Sequence, residues 1–213
     1  MKNLIKEKIK NIIRLIRQSK NILINSAPIY TDRNEGIRLH LGSGKINLQG
    51  WINIDVEDKK HIHIKEKDFK LECFTDKSIS EIYLCHVLEH FTENEISNLM
   101  DIFSKKLKKG GILRISVPNF DNILEIYKKN KNNIEKIHPI LFGGQDNLYN
   151  YHKSAFNKQK LISILKTNNF KKIHEWDTLK IFGSSLGDYS NSKIKIGRTE
   201  IPISLNICGE KKS

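Results

Sequence analysis

The sequence predicts an α/β fold: a mostly parallel sheet whose last strand runs antiparallel, with helices on both faces and an amphipathic helix at the N-terminus. Three observations lead there. Short apolar runs ending in turn residues alternate with stretches of helical periodicity, as in β-α-β repetition. A glycine turn, Gly42-Ser43-Gly44, and an acid, Asp55, end the first two runs, at the strand ends where open α/β sheets collect ligands. The last two runs, residues 170–176 and 203–208, have no helical pattern between them and so imply an antiparallel edge.

Residues 2–24 place Ile5, Ile9, Ile12, Ile13 and Ile16 on one face, with Lys6, Lys8, Lys10, Arg14 and Arg17 elsewhere, the pattern of a basic amphipathic helix. Such a helix can lie on an anionic membrane surface or dock on its own domain. Residues 25–36, with Pro28 and Gly36, read as a linker, which divides the chain into 1–36 and a domain over 37–213. Ile37, Leu39 and Leu41 form the first strand; Trp51, Ile52 and Ile54 lead into Asp55. Residues 61–64 offer a short alternating strand before Asp68-Phe69, and residues 81–85 a further strand.

Thr92-Glu93-Asn94-Glu95 is a capping box, followed by the stripe Ile96, Leu99, Met100, Phe103 and Leu107 of a helix that stops at Gly110. Residues 112–117 are a strand rich in β-branched side chains, ended by Pro118. A helix over 158–167 follows, capped by Asn157, and then the two last strands. The stretch 119–156 is a long insertion.

The glycine turn and Asp55 suggest a nucleoside. Glycines let a ligand lie against bare backbone, and an ionised carboxylate, a pure acceptor with two oxygens, matches the two hydroxyls of a ribose. A nicotinamide dinucleotide and S-adenosylmethionine both fit. The dinucleotide fingerprint wants a third glycine and an acid about 20 residues on; here Asn47 holds the third position and Asp55 follows Gly44 after ten intervening residues. A glycine pair by itself is also what an ordinary turn between strands looks like.

With 213 residues the chain suits one core. A net charge of +13 and a pI near 9.5 invite an anionic partner, although the abundant Lys, Ile and Asn all have A/T-rich codons, so genome bias is the favoured account of the charge. Cys73, Cys85 and Cys208 form no paired metal spacing, no metal is expected, and such cysteine usage suits a reducing compartment. No apolar run approaches the ~20 residues of a membrane span, so the expected location is the cytoplasm, with residues 2–24 as a peripheral membrane contact.

The blocks HLGSGKINLQGWINID, EIYLCHVLEHF, LKKGGILRISVPNF, the stretch from Gly143-Gly144-Gln145 to His152-Lys153, and SLNI together resemble the class I S-adenosylmethionine-dependent methyltransferases. The likeness is strongest to the compact, Rossmann-like subgroup associated with cell-surface polysaccharide assembly, and it runs over nearly all of residues 37–211. It implies that S-adenosylmethionine is the cofactor and a sugar or glycan precursor the acceptor. It also implies that Gly42 and Gly44 pack against the methionine part and that Asp55 holds the ribose. Asp68 and the backbone of Phe69 would read the adenine, and His86 would line the sulfonium side.

One departure stands out. Parallel neighbours usually need a crossover of a dozen residues or more, yet residues 45–50 leave room for one turn. A sheet face then lacks its cover, and the N-terminal helix is the expected substitute.

Methyl transfer to a hydroxyl benefits from a general base. The candidates are His152, in the insertion that would shape the acceptor site, and His86 or His90. A different reading comes from His86-Val87-Leu88-Glu89-His90, which matches the inverted zinc-peptidase motif H-x-x-E-H; it leaves Gly42, Gly44 and Asp55 unexplained. An RNA acceptor is a third reading, but the lysines are spread along the chain instead of clustered with aromatics. Asn119 after Pro118 matches the nucleic-acid amino-methyltransferase pattern only incompletely.

Overall fold

A computed structural model describes residues 36–212. The amphipathic helix predicted over 2–24 lies outside them. A seven-stranded sheet forms the centre, built from β1 (Ile37–Leu41), β2 (Ile52–Asp55), β3 (Ile64–Lys65), β4 (Ile79–Cys85), β5 (Leu107–Pro118), β6 (Phe170–Glu175) and β9 (Ser204–Lys211) in the order β3-β2-β1-β4-β5-β9-β6. The first five pair in parallel, while β9 runs antiparallel to both β5 and β6. The last strand is therefore antiparallel as predicted, yet it lies inside the sheet, and β6 takes the edge.

Residue alternation along β4 separates two cores. Ile82 and Leu84 belong to the larger one, with α1 (Glu93–Lys106) contributing Ile96, Leu99, Met100 and Phe103, and α4 (Lys158–Thr167) contributing Leu161 and Leu165. The capping box that opens α1 is formed: Thr92 Oγ1 accepts from the Glu95 N–H and the Glu95 carboxylate accepts from the Thr92 N–H, together worth about 1 kcal/mol. The helix ends one residue before Leu107, which instead starts β5. Ile79 pairs with Leu107 and Glu81 already with Ile112, so residues 108–111 bulge, with Gly110 at φ +74°.

Tyr83 and Cys85 face the other core, with Leu48, Trp51, Trp176 and Cys208. The connection between the parallel β1 and β2 contains no helix, so the missing crossover is real. On the face with Tyr83, the rings of Trp51, Trp176 and Phe182 all pack on it at centroid distances of 6.2, 5.7 and 5.4 Å, while the helix expected as cover lies outside the described residues. Phe182 arrives on the short α5 (Thr178–Phe182), and the Tyr83 hydroxyl donates to Asp188 at 2.5 Å. Trp176 and Phe182 come from the C-terminal half of the chain, and Trp51 from the end of the short connection itself.

The insertion folds more than the sequence suggests. It holds α2 (Phe120–Lys129) and α3 (His138–Phe142), and α2 packs with a hairpin of β7 (Lys193–Ile196) and β8 (Thr199–Pro202) around Ile123, Ile126, Ile137, Ile201 and Ile203. Among the described residues no helix is long and apolar enough to cross a membrane.

Candidate active site

The carboxyl ends of β1, β2 and β4 border a cavity of about 490 Å³, a size typical of small-molecule sites. Gly42, Gly44, Asp55, Asp68, Phe69 and His86 all line it. The six residues that the sequence nominates for one ligand thus share one space.

The glycine turn hangs on β2, because the N–H groups of Gly42 and Ser43 both donate to the Ile54 carbonyl at 2.8 and 3.3 Å. Gly42 and Gly44 adopt φ of +63° and +55°, where a Cβ is costly. Their surroundings differ. A Cβ on Gly42 would stand 2.3 Å from Val87 Cγ2, whereas one on Gly44 would meet nothing within 4 Å. Gly42 is therefore bare so that the turn can pack on the 86–90 segment, and Gly44 leaves open space beside Asp55.

Asp55 is buried, and its carboxylate fastens the site's edge. Oδ2 accepts from the Gly44 N–H at 2.7 Å and Oδ1 from the Glu57 N–H at 2.9 Å. Each oxygen keeps a further acceptor position. Asp68 is exposed on the following loop, while Phe69 is buried against Phe91 at a ring distance of 6.1 Å. Phe69 has φ +46°, a conformation in which an aromatic residue is rare and which collects at functional sites. Glu66 holds this loop: its N–H donates to the Asp55 carbonyl at 2.9 Å and its Oε1 accepts from the Leu71 N–H at 3.0 Å. Burial raises the Glu66 pKa. No motif in the sequence announced this residue, since its partner is a backbone amide brought round by the loop.

The 86–90 segment, on which the glycine turn packs, carries most of a group of imidazoles around one acid. Glu89, 1% exposed, has His86 Nδ1 at 3.5 Å and His152 Nε2 at 4.0 Å from its Oε1, and His90 meets His152 edge-on at 4.9 Å. No described residue gives either Glu89 carboxylate oxygen a well-formed hydrogen bond. Burial pushes the Glu89 pKa up to about 8. Burial, with His152 nearby, pulls His86 down to about 3, and burial, with His90 nearby, pulls His152 down to about 4. His90 is lowered by burial as well. At neutral pH these are contacts between uncharged rings and a mostly protonated acid, not ion pairs.

The hydrogen bonds fix the tautomers. Ser204 Oγ donates to the Tyr189 carbonyl at 2.7 Å, so it accepts from His86 Nε2 at 2.8 Å, and His86 Nδ1 is left bare toward Glu89. His90 Nδ1 donates to the Tyr151 carbonyl at 3.2 Å, leaving Nε2 with the lone pair. His86 has φ +53°, and only Leu88–His90 form a helical turn, of the 3-10 type. The H-x-x-E-H string is therefore no α-helical zinc pair. His86 and His90 line the cavity, whereas His152, expected as the base, is absent from its wall and sits behind His90.

The insertion reaches over the cavity with Asn147, Leu148, Tyr149, Asn150 and Lys153. It is clamped to the 3-10 turn: the N–H groups of Lys153 and Ser154 donate to the Glu89 carbonyl at 2.8 and 3.1 Å. The Gly143-Gly144 pair permits this closure, since a Cβ on Gly143 would fall 2.3 Å from the Asn150 carbonyl oxygen. Asn119, whose type hinted at a nucleic-acid substrate, caps α2 by accepting from the Asp121 N–H at 3.2 Å.

Among solved structures, the chain is similar to a SAM-dependent methyltransferase from Archaeoglobus fulgidus, with a TM-score of 0.52 and 14% identity over 99% of this chain and 95% of that one. It is equally similar to a SAM-dependent methyltransferase from Thermotoga maritima, at TM-score 0.52 and 18% identity over 97% and 95%. The fold is that of the class I methyltransferases. No protein-family model matches the chain, and neither does any curated protein sequence. Within the methyltransferase fold, the cavity occupies the end of the sheet where open α/β folds bind ligands.

Proposed function

We propose that this chain is an S-adenosylmethionine-dependent methyltransferase that acts on an oxygen of a sugar or a cell-surface glycan precursor. The supporting observation is the convergence of Gly42, Gly44, Asp55, Asp68, Phe69 and His86 on one cavity at the carboxyl ends of parallel strands. These residues fit the cofactor. The open space at Gly44 leaves the backbone bare, Asp55 offers two acceptor positions to a ribose, and Asp68 beside Phe69 offers an acceptor to an adenine amino group. When bound, the cofactor supplies a methyl on a sulfonium, which already carries its leaving group, so the protein's task is alignment.

The acceptor would enter beneath the insertion, where Asn147, Asn150 and Lys153 present hydrogen-bonding groups and Tyr149 an aromatic face, the combination that suits a polyhydroxylated ring. The proton of an acceptor hydroxyl is assigned to His86, which lines the cavity and whose imidazole is uncharged at neutral pH.

Calorimetric titration of the purified chain with S-adenosylmethionine, S-adenosylhomocysteine and NADH tests the cofactor class. The first two should bind with 1:1 stoichiometry and NADH should not. Binding of NADH alone would overturn the proposal. A screen of sugar acceptors with radiolabelled methyl then tests the acceptor class.

A further inference from the structure

We propose that Glu89, His90 and His152 form a binding site for a divalent transition-metal ion at the edge of the cofactor cavity, with the ion's remaining positions open to an oxygen of the acceptor. The inference deepens the functional reading above and rests on it for the acceptor, but the ion site stands on its own geometry.

One potential ligand atom from each of the three residues lies within 4.8 Å of the others. Ligand atoms at about 2.1 Å from a tetrahedral metal stand about 3.4 Å apart, so a modest drawing together closes the site, and the Glu89 to His152 separation of 4.0 Å is already near that value. The donor set is two imidazoles and one carboxylate, which selects ions such as zinc, manganese or iron(II) over magnesium or calcium.

Proximity alone would be weak support, because buried histidines often gather for packing. Three further features point to a ligand. Glu89 is 1% exposed and neither of its carboxylate oxygens has a well-formed hydrogen bond among the described residues; a buried polar group left so costs about 1–3 kcal/mol. His90 spends Nδ1 on the Tyr151 carbonyl, which orients the ring and frees Nε2, as metal-binding histidines commonly are oriented. The two ligand-bearing segments are also fastened together, because Lys153 and Ser154 both donate to the Glu89 carbonyl, and within the insertion His152 is held by its N–H to the Phe142 carbonyl at 3.0 Å. The residues are thus held near one another before any ion arrives.

His90 lines the cavity wall, while Glu89 and His152 are not among its lining residues. An ion held by the three would border the cavity through His90, on the segment against which Gly42 packs, and an acceptor oxygen would reach it from the cavity side. His86, 3.5 Å from Glu89 Oε1 through Nδ1, flanks the ion without belonging to the set.

The experiment uses the full chain stripped with a chelator and then titrated with Co²⁺ and Zn²⁺, followed by calorimetry and by the visible absorption of Co²⁺. One ion per chain should bind, with a Co²⁺ spectrum of low coordination number that Zn²⁺ displaces. Glu89→Gln and His152→Gln should each weaken binding by roughly 10²-fold or more, while circular dichroism and S-adenosylhomocysteine affinity, measured in chelator, stay as in the parent and report an intact fold. Absence of stoichiometric binding, or binding equally tight in both variants, overturns the metal site. If S-adenosylhomocysteine binds and metal does not, only this inference falls; if metal binds and S-adenosylhomocysteine does not, the site stands and the methyltransferase reading falls.

Discussion

The Gly44 amide donates to Asp55 Oδ2 at 2.7 Å, across the two strand ends that frame the cavity. One carboxylate therefore ties down the turn and presents acceptors to a ligand. Asp55→Asn keeps the size but removes the charge and one acceptor. We expect S-adenosylmethionine affinity to fall by about 10²-fold, in line with about 1.5–3 kcal/mol for hydrogen bonds to a charged group. Calorimetry on the variant checks this, and unchanged affinity would remove Asp55 from the site.

The two glycines of the turn should respond differently. Gly42→Ala places a Cβ 2.3 Å from Val87 Cγ2 at φ +63°, so it should lower stability by about 2–3 kcal/mol through strain and overpacking together. Gly44→Ala carries only the conformational cost of about 1–2 kcal/mol, since its Cβ meets no atom within 4 Å. Its larger effect should be on cofactor affinity. Denaturant unfolding and ligand titration of both variants separate the two outcomes.

His152→Ala should leave S-adenosylmethionine affinity nearly intact, because His152 is not part of the cavity wall, and should lower turnover by roughly 10²-fold or more. Steady-state kinetics with the acceptor found by screening provide the measurement. Equal turnover in variant and parent would exclude the residue from the reaction.

Stability should fall with acid in a defined window. His40 is buried, stacked on Tyr83 at 5.1 Å and bonded through Nδ1 to Asn53 Oδ1 at 3.2 Å. Burial lowers its pKa from 6.5 to about 4, only partly offset by Asn53. The folded state thus keeps His40 neutral where the unfolded chain is protonated. The contribution is fully present above pH 6.5 and is lost as pH falls toward 4, amounting to about 3 kcal/mol for His40 alone. His63 shifts the same way. Urea unfolding of the parent and of His40→Gln at a series of pH values would show it, because Glu89, raised to about 8 by burial, acts with the opposite sign in both; an equal pH dependence of the two from pH 7 to 4.5 would contradict a buried neutral His40.

Sequence reasoning succeeded where local chemistry governs. The strand ends at Leu41 and Asp55, the capping box at Thr92 and the cap at Asn157 all depend on a few neighbouring residues, and each stands where the pattern put it. Leu107 was assigned to α1 because its spacing suits the helical stripe, but pairing with Ile79 draws it into β5. The hairpin of β7 and β8 went unread although Lys193 to Ile196 alternate strictly, because its partner surface is α2, far away in sequence. The cavity wall was legible at its glycines and acids. The Glu89 group was visible only as a string, since its third member, His152, is brought in by the insertion.

The place of β9 also bears on how the molecule is made. β6 leaves the ribosome before β9, its partner in the sheet, and β5 likewise waits for β9 along one side. While residues 176–203 are being synthesised, two rows of unsatisfied amides and carbonyls stay open to pairing with other nascent chains. Slow translation or a shortage of chaperones should therefore reduce soluble yield more than the stability of the finished protein would suggest.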